Sequence, residues 1–118
     1  MTDDRNTGRL VVIGANHRTS SEATRDRLFI PEDAQPDVLR AAIAAGLNQV
    51  IALSTCARTE LVGIADDPER ARRSALAVLG GLGRLDPDAL AAETYIHVGE
   101  AAVRHVFRVA ASLDSPIV

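Results

Sequence analysis

The chain contains a single cysteine, Cys56, whose neighbours suit a nucleophilic thiol. Ser54 and Thr55 precede it with hydroxyl groups that can donate hydrogen bonds, and Arg58 follows two residues later. In an extended chain, residues two apart point the same way, so the guanidinium is predicted to lie beside the sulfur. A nearby cation favours the thiolate, which is the nucleophilic form. A lone cysteine is more often a small buried hydrophobic residue, so this spacing alone leaves both interpretations open.

His105 is the second residue that could take part in chemistry. It lies in a predicted C-terminal helix with an apolar stripe formed by Val103, Val106, Phe107 and Ala110. At about 100° per residue, the imidazole falls on the opposite side of that helix. We therefore predict that the stripe packs on the core and that His105 is either exposed or faces a site.

The other two histidines are more readily explained as structural. His17 lies in a polar turn, and His97 follows Tyr95 by two residues in a predicted strand. The three histidines and the cysteine lack the close spacing of zinc ligands, so no metal is predicted. Neither of the glycine-containing segments at 14–16 and 80–83 forms the G-x-G-x-x-G loop of a dinucleotide site.

The composition narrows the classes of function. All 13 basic residues are arginine, which excludes a Schiff-base lysine. Aromatic residues make up only 3% of the chain, which disfavours base stacking on single-stranded RNA. The net charge of -3 means that any RNA contact must be local. A single cysteine fits a reducing, cytoplasmic setting, and no apolar run reaches the length of a membrane span.

The apolar pattern predicts a fold that could bring these residues together. Residues 10–118 are expected to form one domain after a disordered, polar leader at residues 1–9. Strands are predicted at 10–13, 49–53, 61–65 and 94–98, and the apolar run at 50–53 suggests a central strand covered on both faces. Helices are predicted at 22–28, after Pro36, after a cap at Asp67, and at 100–113. The order β-α-β-β-α-β with an additional C-terminal helix predicts an α+β, ferredoxin-like split β-α-β fold with an antiparallel four-stranded sheet.

Four segments, in order, resemble the signature blocks of glutamyl-tRNA reductases. Residues 54–60 read S-T-C-A-R-T-E where the family has S-T-C-N-R-T-E, and residues 14–19 are similar to its G-x-N-H-K-T. Residues 25–27 resemble R-E-R, and residues 105–115 resemble H-L-x-R-V-A-S-G-L-D-S. The similarity runs from about Leu10 to Val118, and the chain is identified as an N-terminal catalytic domain of this family.

The resemblance implies an NADPH-dependent oxidoreductase that reduces the glutamyl group of glutamyl-tRNA to glutamate-1-semialdehyde, in tetrapyrrole (haem and porphyrin) biosynthesis. Cys56 would be the nucleophile that attacks the glutamyl-tRNA ester and forms the thioester to be reduced. Arg58 would hold the substrate glutamate, and Thr55 and Ser115 would line its pocket. His105 would be catalytic, by orienting the substrate or assisting proton transfer.

The resemblance also implies components outside this sequence. The NADPH-binding and dimerisation domains of the family are not in it, so we expect that the chain cannot complete the reduction alone. Glutamyl-tRNA is the expected substrate and glutamate-1-semialdehyde aminotransferase the expected protein partner. The full-length enzyme is expected to be a homodimer that does not involve a membrane.

Two departures from the family's pattern lie in the blocks nearest the expected chemistry. Ala57 stands where the family has asparagine, and Ser112 where it has the glycine before L-D-S. A diverged paralogue, acting as a non-catalytic ferredoxin-like module that binds tRNA or a protein, is the alternative. A thiol peroxidase or redox sensor is disfavoured, because the sequence has no resolving cysteine.

Overall fold

The computed structural model describes residues 8–114, which alternate between strands and helices as the sequence predicts. The strands are β1 (Arg9–Asn16), β2 (Asn48–Ser54), β3 (Arg58–Ala65) and β4 (Tyr95–Val98). The helices are α1 (Glu22–Leu28), α2 (Gln35–Ala44), α3 (Pro68–Gly83), α4 (Pro87–Ala91) and α5 (Glu100–Asp114), with a 3-10 turn at Glu32–Ala34 before α2.

The four strands form one antiparallel sheet in the order β2-β3-β1-β4. This is the strand order of a ferredoxin-like split β-α-β fold, so the predicted fold class is confirmed. β1 lies in the interior of the sheet and pairs with β3 on one side and with β4 on the other. It therefore brings β3 and β4, and the side chains they carry, to either side of a single strand.

The two faces of the sheet are covered by different layers. The alternate β1 residues Val11, Ile13 and Ala15 belong to the main hydrophobic core, together with buried residues of α1, α2 and α3. α5 packs on β1 and β4, and the buried Val12 and Ala102 lie outside that main core. We infer from the alternation of side chains along β1 that α5 covers the opposite face.

β2 is an edge strand, so the prediction that it is central and covered on both faces was wrong. Val50 is buried, whereas Ile51 is 61% exposed. The apolar run predicted the strand correctly, but α5 packs mainly on β1 and β4, which lie on the other side of β3 from β2. The second face of β2 is therefore left open, which a run of apolar residues cannot reveal.

Local capping explains where the helices begin. The side chain of Asp67 accepts a hydrogen bond from the backbone N–H of Arg70, and Pro68 follows in the first turn, as predicted. The hydroxyl of Ser21 accepts from the backbone N–H of Thr24 at the start of α1. α4 was not predicted, because five residues are too few to show a helical period.

The predicted core face of α5 was wrong. Val103, Val106 and Phe107 are exposed, and Phe107 is 72% exposed. The residues that face inward are Ala102 and Val109, which are buried, and His105, whose side chain is 13% exposed. The helix is turned so that an imidazole faces the sheet, because a buried carboxylate lies there. No helix among the described residues is long and apolar enough to cross a bilayer.

Candidate active site

The buried carboxylate of Glu60 is the centre of the candidate site. Glu60 lies on β3 and is only 1% exposed. Its Oε2 atom lies 2.5 Å from Nε2 of His105 and 3.3 Å from Nη1 of Arg58, and it accepts a hydrogen bond from the hydroxyl of Tyr95. A buried carboxylate is costly unless charged or polar groups surround it. Three donors from β3, β4 and α5 meet that requirement.

Gly14 makes room for this carboxylate. It pairs with Glu60 across β1 and β3, and with Tyr95 across β1 and β4. A Cβ atom at position 14 would lie 2.8 Å from Cγ of Glu60 and 2.3 Å from the carbonyl oxygen of Thr59. Any side chain on Gly14 would thus displace β3 or the carboxylate that β3 carries.

Three aromatic rings pack together beside Glu60. The imidazoles of His97 and His105 are stacked with their centroids 4.4 Å apart, and the ring of Tyr95 lies 5.2 Å and 5.4 Å from them. Burial, and then the charge of His105, lower the pKa of His97. Burial, and then the carboxylate of Glu60, raise the pKa of Tyr95 far above its ordinary value. The surroundings therefore favour neutral His97 and neutral Tyr95.

A pocket of about 420 Å³ opens beside these rings. Its inner wall consists of partly buried side chains, and its rim consists of exposed ones from the turn after β1 and from α5. The inner wall includes Arg58, Tyr95, His97 and His105, and the exposed rim includes His17, Arg18, Thr19, Arg108 and Ser112. The lining is thus rich in cations and poor in large apolar groups, which suits an anionic, polar ligand.

Cys56 is exposed in the tight turn that joins β2 to β3. The backbone N–H of Thr55 donates to the carbonyl of Arg58 over 2.7 Å, which closes the turn around Cys56 and Ala57. The hydroxyl oxygen of Thr55 accepts from the backbone N–H groups of Ala57 and Arg58, at 3.1 and 3.2 Å. The thiol is therefore presented to solvent on a turn held by its own neighbours.

A second arginine connects this turn to the body of the domain. Nε of Arg25, on α1, donates to the carbonyl of Cys56 over 3.4 Å, and Nη1 donates to the carbonyl of Ser20 over 2.6 Å. Arg25 therefore joins the cysteine turn to the turn that follows β1. This contact gives the R-x-R segment a structural role that the sequence alone did not reveal.

The base of the hairpin is fastened by hydroxyl groups. The backbone N–H of Ile30 donates to the hydroxyl of Ser54 over 2.8 Å. The hydroxyl of Thr59 donates to the carbonyl of Leu28 over 3.1 Å. The two hydroxyls also lie 2.7 Å apart, so β2 and β3 are tied together and to the end of α1.

The residues predicted from the sequence are distributed over two adjoining places. Arg58 and His105 meet on Glu60 and line one pocket. Cys56 and Thr55 form the exposed turn that leads into Arg58. Ser115 lies outside the described residues. Among the described residues, no group of three or more His, Cys, Asp or Glu could hold a metal ion.

Sequence reasoning missed Glu60 and Tyr95. The strand was predicted to begin after Glu60, whereas β3 begins at Arg58. One signal was available, because Arg58 and Glu60 are two residues apart in a strand and must share a face. The contribution of Tyr95 depends on pairing across β1, which no local pattern encodes.

Comparison with known proteins gives one consistent family. A family model described as "Glutamyl-tRNAGlu reductase, N-terminal domain" matches residues 13–118. A glutamyl-tRNA reductase of Myxococcus xanthus is 42% identical over 111 residues, covering 92% of this chain and 24% of that protein. One from Rhodospirillum rubrum is 38% identical over 107 residues, covering 91% of this chain and 25% of that protein.

A solved structure resembles the fold as well. The glutamyl-tRNA reductase from Methanopyrus kandleri superposes with a TM-score of 0.58 and 27% sequence identity. The match covers 91% of this chain and 23% of that one. The chain therefore spans about a quarter of the length of the proteins that it matches.

Proposed function

The chain belongs to the glutamyl-tRNA reductase N-terminal domain family, and we propose that it carries the acyl-transfer half of that reaction. The substrate is glutamyl-tRNA, and the acceptor is the thiol of Cys56. The observation that supports this proposal most strongly is the convergence of Arg58 and His105 on Glu60, in a cationic pocket. Arg58 is separated from the exposed Cys56 by only one residue.

The proposed step is a transfer of the glutamyl group from oxygen to sulfur. The thiolate of Cys56 attacks the carbonyl carbon of the ester, and a carbon–sulfur bond forms. The carbon–oxygen bond to the terminal ribose then breaks, and the ribose hydroxyl leaves with a proton equivalent to the one that the thiol gave up. The exposure of Cys56 on a tight turn suits attack on a bulky substrate.

Arg58 is the proposed holder of the substrate's side-chain carboxylate. A guanidinium has five N–H donors in a fixed fork, and here only Nη1 is directed at Glu60. The remaining donors can bind a second carboxylate in the pocket, where a charge-assisted pair is stronger than a neutral one. Arg58 would then connect Glu60 to the glutamyl group and set the distance of its carbonyl from Cys56.

His105 is proposed to assist the proton transfer and to orient the substrate. Its Nε2 atom faces Glu60 at 2.5 Å, so the other ring nitrogen is the one left for the substrate. A carboxylate on one imidazole nitrogen fixes the ring orientation and the tautomer, as it does in catalytic triads. Glu60 would therefore be a positioning residue, which acts through His105 and Arg58.

NADPH has no evident place on the described residues. The sheet is antiparallel, and its glycines do not form the loop and helix of a dinucleotide site. We therefore assign no residue of this chain to NADPH and no step to it here. Four further proposals concern the whole protein and rest on analogy with the family. They are the reduction to glutamate-1-semialdehyde, a role in tetrapyrrole biosynthesis, the aminotransferase as a partner, and the homodimer.

The acyl transfer can be tested directly because the chain has one cysteine. The chain is incubated with tRNA carrying radiolabelled glutamate, and acid-stable, hydroxylamine-labile label on the protein is counted. We expect label on Cys56 and none in Cys56→Ser. The matched control combines Cys56→Ser with Ala77→Cys, which places one exposed thiol on α3, away from the pocket.

Label on the control at the same rate would mean that any exposed thiol accepts the glutamyl group. Failure to label the wild-type chain would overturn the proposal and favour the non-catalytic binding module. A wild-type chain that loses label by hydrolysis, with release of free glutamate, would still support thioester formation.

A further inference from the structure

Two arginines with no role in the proposed acyl transfer lie on the exposed rim of the pocket. Arg18 lies on the turn after β1 and Arg108 lies on α5, and both are exposed and line the pocket. The turn that carries Arg18 is fixed, because its backbone N–H donates to Oδ1 of Asn16 over 2.9 Å. Arg108 lines the same pocket as His97, which belongs to its inner wall.

The local charge at this mouth is unusual for the chain. The protein carries a net charge of -3, yet no carboxylate is among the described residues that line the pocket. Among the side chains described, those of residues 8–112, ion pairs are formed by Arg40, Arg58, Arg72 and Arg73, and neither Arg18 nor Arg108 is among them. Two guanidinium groups are thus free to bind an anion, and their planar forks match phosphate oxygens.

We propose that Arg18 and Arg108 bind the phosphodiester groups at the 3′ end of the acylated RNA. This inference rests on the proposed function, which puts the glutamyl group on the inner wall beside Arg58. The ester joins that group directly to the terminal ribose, so the ribose must leave through the mouth. The nearest phosphodiester is only a few bonds further along the same molecule, and the mouth is where the two arginines lie.

The same chemistry could come from a second source, the phosphates of a nicotinamide dinucleotide. The RNA is favoured because its phosphate is covalently tied to the group in the pocket, whereas a dinucleotide is not. Because the protein has a net negative charge, we do not expect it to bind RNA through a broad basic surface. A local pair of arginines at the mouth of the pocket is the alternative way to bind the RNA end. The two sources can be distinguished, because each predicts that a different ligand, the RNA end or the dinucleotide, needs these arginines for binding.

The test measures how binding of a short RNA end depends on salt. The 118-residue chain is titrated with the trinucleotide CpCpA, with adenosine and with NADPH, and binding is followed by NMR at several salt concentrations. The variants are Arg18→Gln and Arg108→Gln. Arg104→Gln is the matched control, because Arg104 is also exposed on α5 but does not line the pocket.

We expect each rim variant to reduce the slope of log K against log salt for CpCpA by about 0.7, the loss of one phosphate contact on a single strand. Arg104→Gln should leave the slope unchanged, and adenosine, which has no phosphate, should bind all variants equally. An equal loss in Arg104→Gln would show a diffuse attraction and overturn the proposal. Unchanged binding of CpCpA in Arg18→Gln and Arg108→Gln would also overturn the proposal. The same holds if these substitutions weaken the binding of NADPH but not that of CpCpA.

These outcomes separate the inference from the proposed function. If Cys56 is acylated but the rim variants keep the wild-type salt slope, then only the rim assignment is lost. If the rim variants show the reduced salt slope but Cys56 is never acylated, then the RNA-binding site is supported and the proposed thiol chemistry is contradicted.

Discussion

Glu60 and His105 are 45 residues apart in the chain, yet Oε2 of Glu60 lies 2.5 Å from Nε2 of His105. This pair determines which side of α5 faces the sheet, since the helix turns its imidazole inward and leaves Val103 and Phe107 exposed. It also joins β3 to α5, so the two elements that carry the candidate catalytic groups are held in one geometry. Disturbing either partner should therefore affect both stability and chemistry.

The Glu60→Gln variant should lose stability and acyl transfer together. The amide keeps the shape but removes the charge that Arg58 and His105 share, so we expect a loss of about 1–3 kcal/mol in the free energy of unfolding. Misplacement of His105 should slow the labelling of Cys56 by about 100-fold. Urea unfolding and the radiolabel assay measure the two effects. The control is Glu69→Gln, because Glu69 is 66% exposed and pairs only weakly, and it should change stability by less than about 0.5 kcal/mol.

A side chain at position 14 should be far more harmful than one at position 81. In Gly14→Ala, the new methyl group would overlap the carbonyl of Thr59 and press on Glu60, which should cost about 1–3 kcal/mol or more. In Gly81→Ala, the methyl group meets no atom within 4 Å in helix α3, so a gain of about 0.5–1 kcal/mol is expected. Thermal unfolding of both variants compares them, and equal effects would contradict the role given to Gly14.

The fold could be predicted from the sequence because its signals are local. Capping at Asp67, the apolar runs of β1 and β2, and the order of the elements all depend on a few neighbouring residues. What failed was the surroundings of each element. Ile51 is exposed because α5 packs mainly on β1 and β4, and α5 is turned by a buried charge instead of by its apolar stripe.

The candidate site could be predicted only in part for the same reason. Cys56, Arg58 and His105 were named from residue type, spacing and resemblance. Glu60 was missed because a buried carboxylate is recognised by the groups that stabilise it. Two of these groups, Tyr95 and His105, come from the distant elements β4 and α5. Long-range pairing of this kind has no period and no local spacing in the sequence.

Tyr95 should resist ionisation while the domain is folded. Its pKa is raised by burial and by Glu60, whereas in the unfolded chain it returns to about 10. Its contribution to stability is therefore complete below pH 10 and is lost as the pH rises above that value. Because the chain has one tyrosine and no tryptophan, phenolate absorbance at 295 nm reports this residue alone. Phenolate that forms near pH 10 in the folded protein would contradict the burial of Tyr95 against Glu60.

The two sides of α5 should respond differently to truncation. Phe107 is 72% exposed and Val109 only 7%. We expect Phe107→Ala to change the free energy of unfolding by less than about 0.5 kcal/mol, and Val109→Ala to cost about 1–3 kcal/mol. Chemical denaturation of the 118-residue chain measures both. A larger loss of stability in Phe107→Ala than in Val109→Ala would support the packing that the apolar stripe predicts. It would contradict the observed rotation of the helix.

Thr55 should matter through its oxygen, because that atom accepts the backbone N–H groups of Ala57 and Arg58 and shapes the turn that carries Cys56. Thr55→Ala removes the acceptor, which should destabilise the turn by about 1 kcal/mol. If the barrier to acyl transfer rises by the same amount, the rate of Cys56 labelling should decrease by roughly fivefold to tenfold. Thr55→Ser keeps the oxygen and should retain most of that rate. If the hydroxyl instead bound the substrate, Thr55→Ala would weaken the affinity for glutamyl-tRNA and leave the alkylation rate of Cys56 by iodoacetamide unchanged. A turn-shaping role predicts the opposite, a changed alkylation rate without any substrate present.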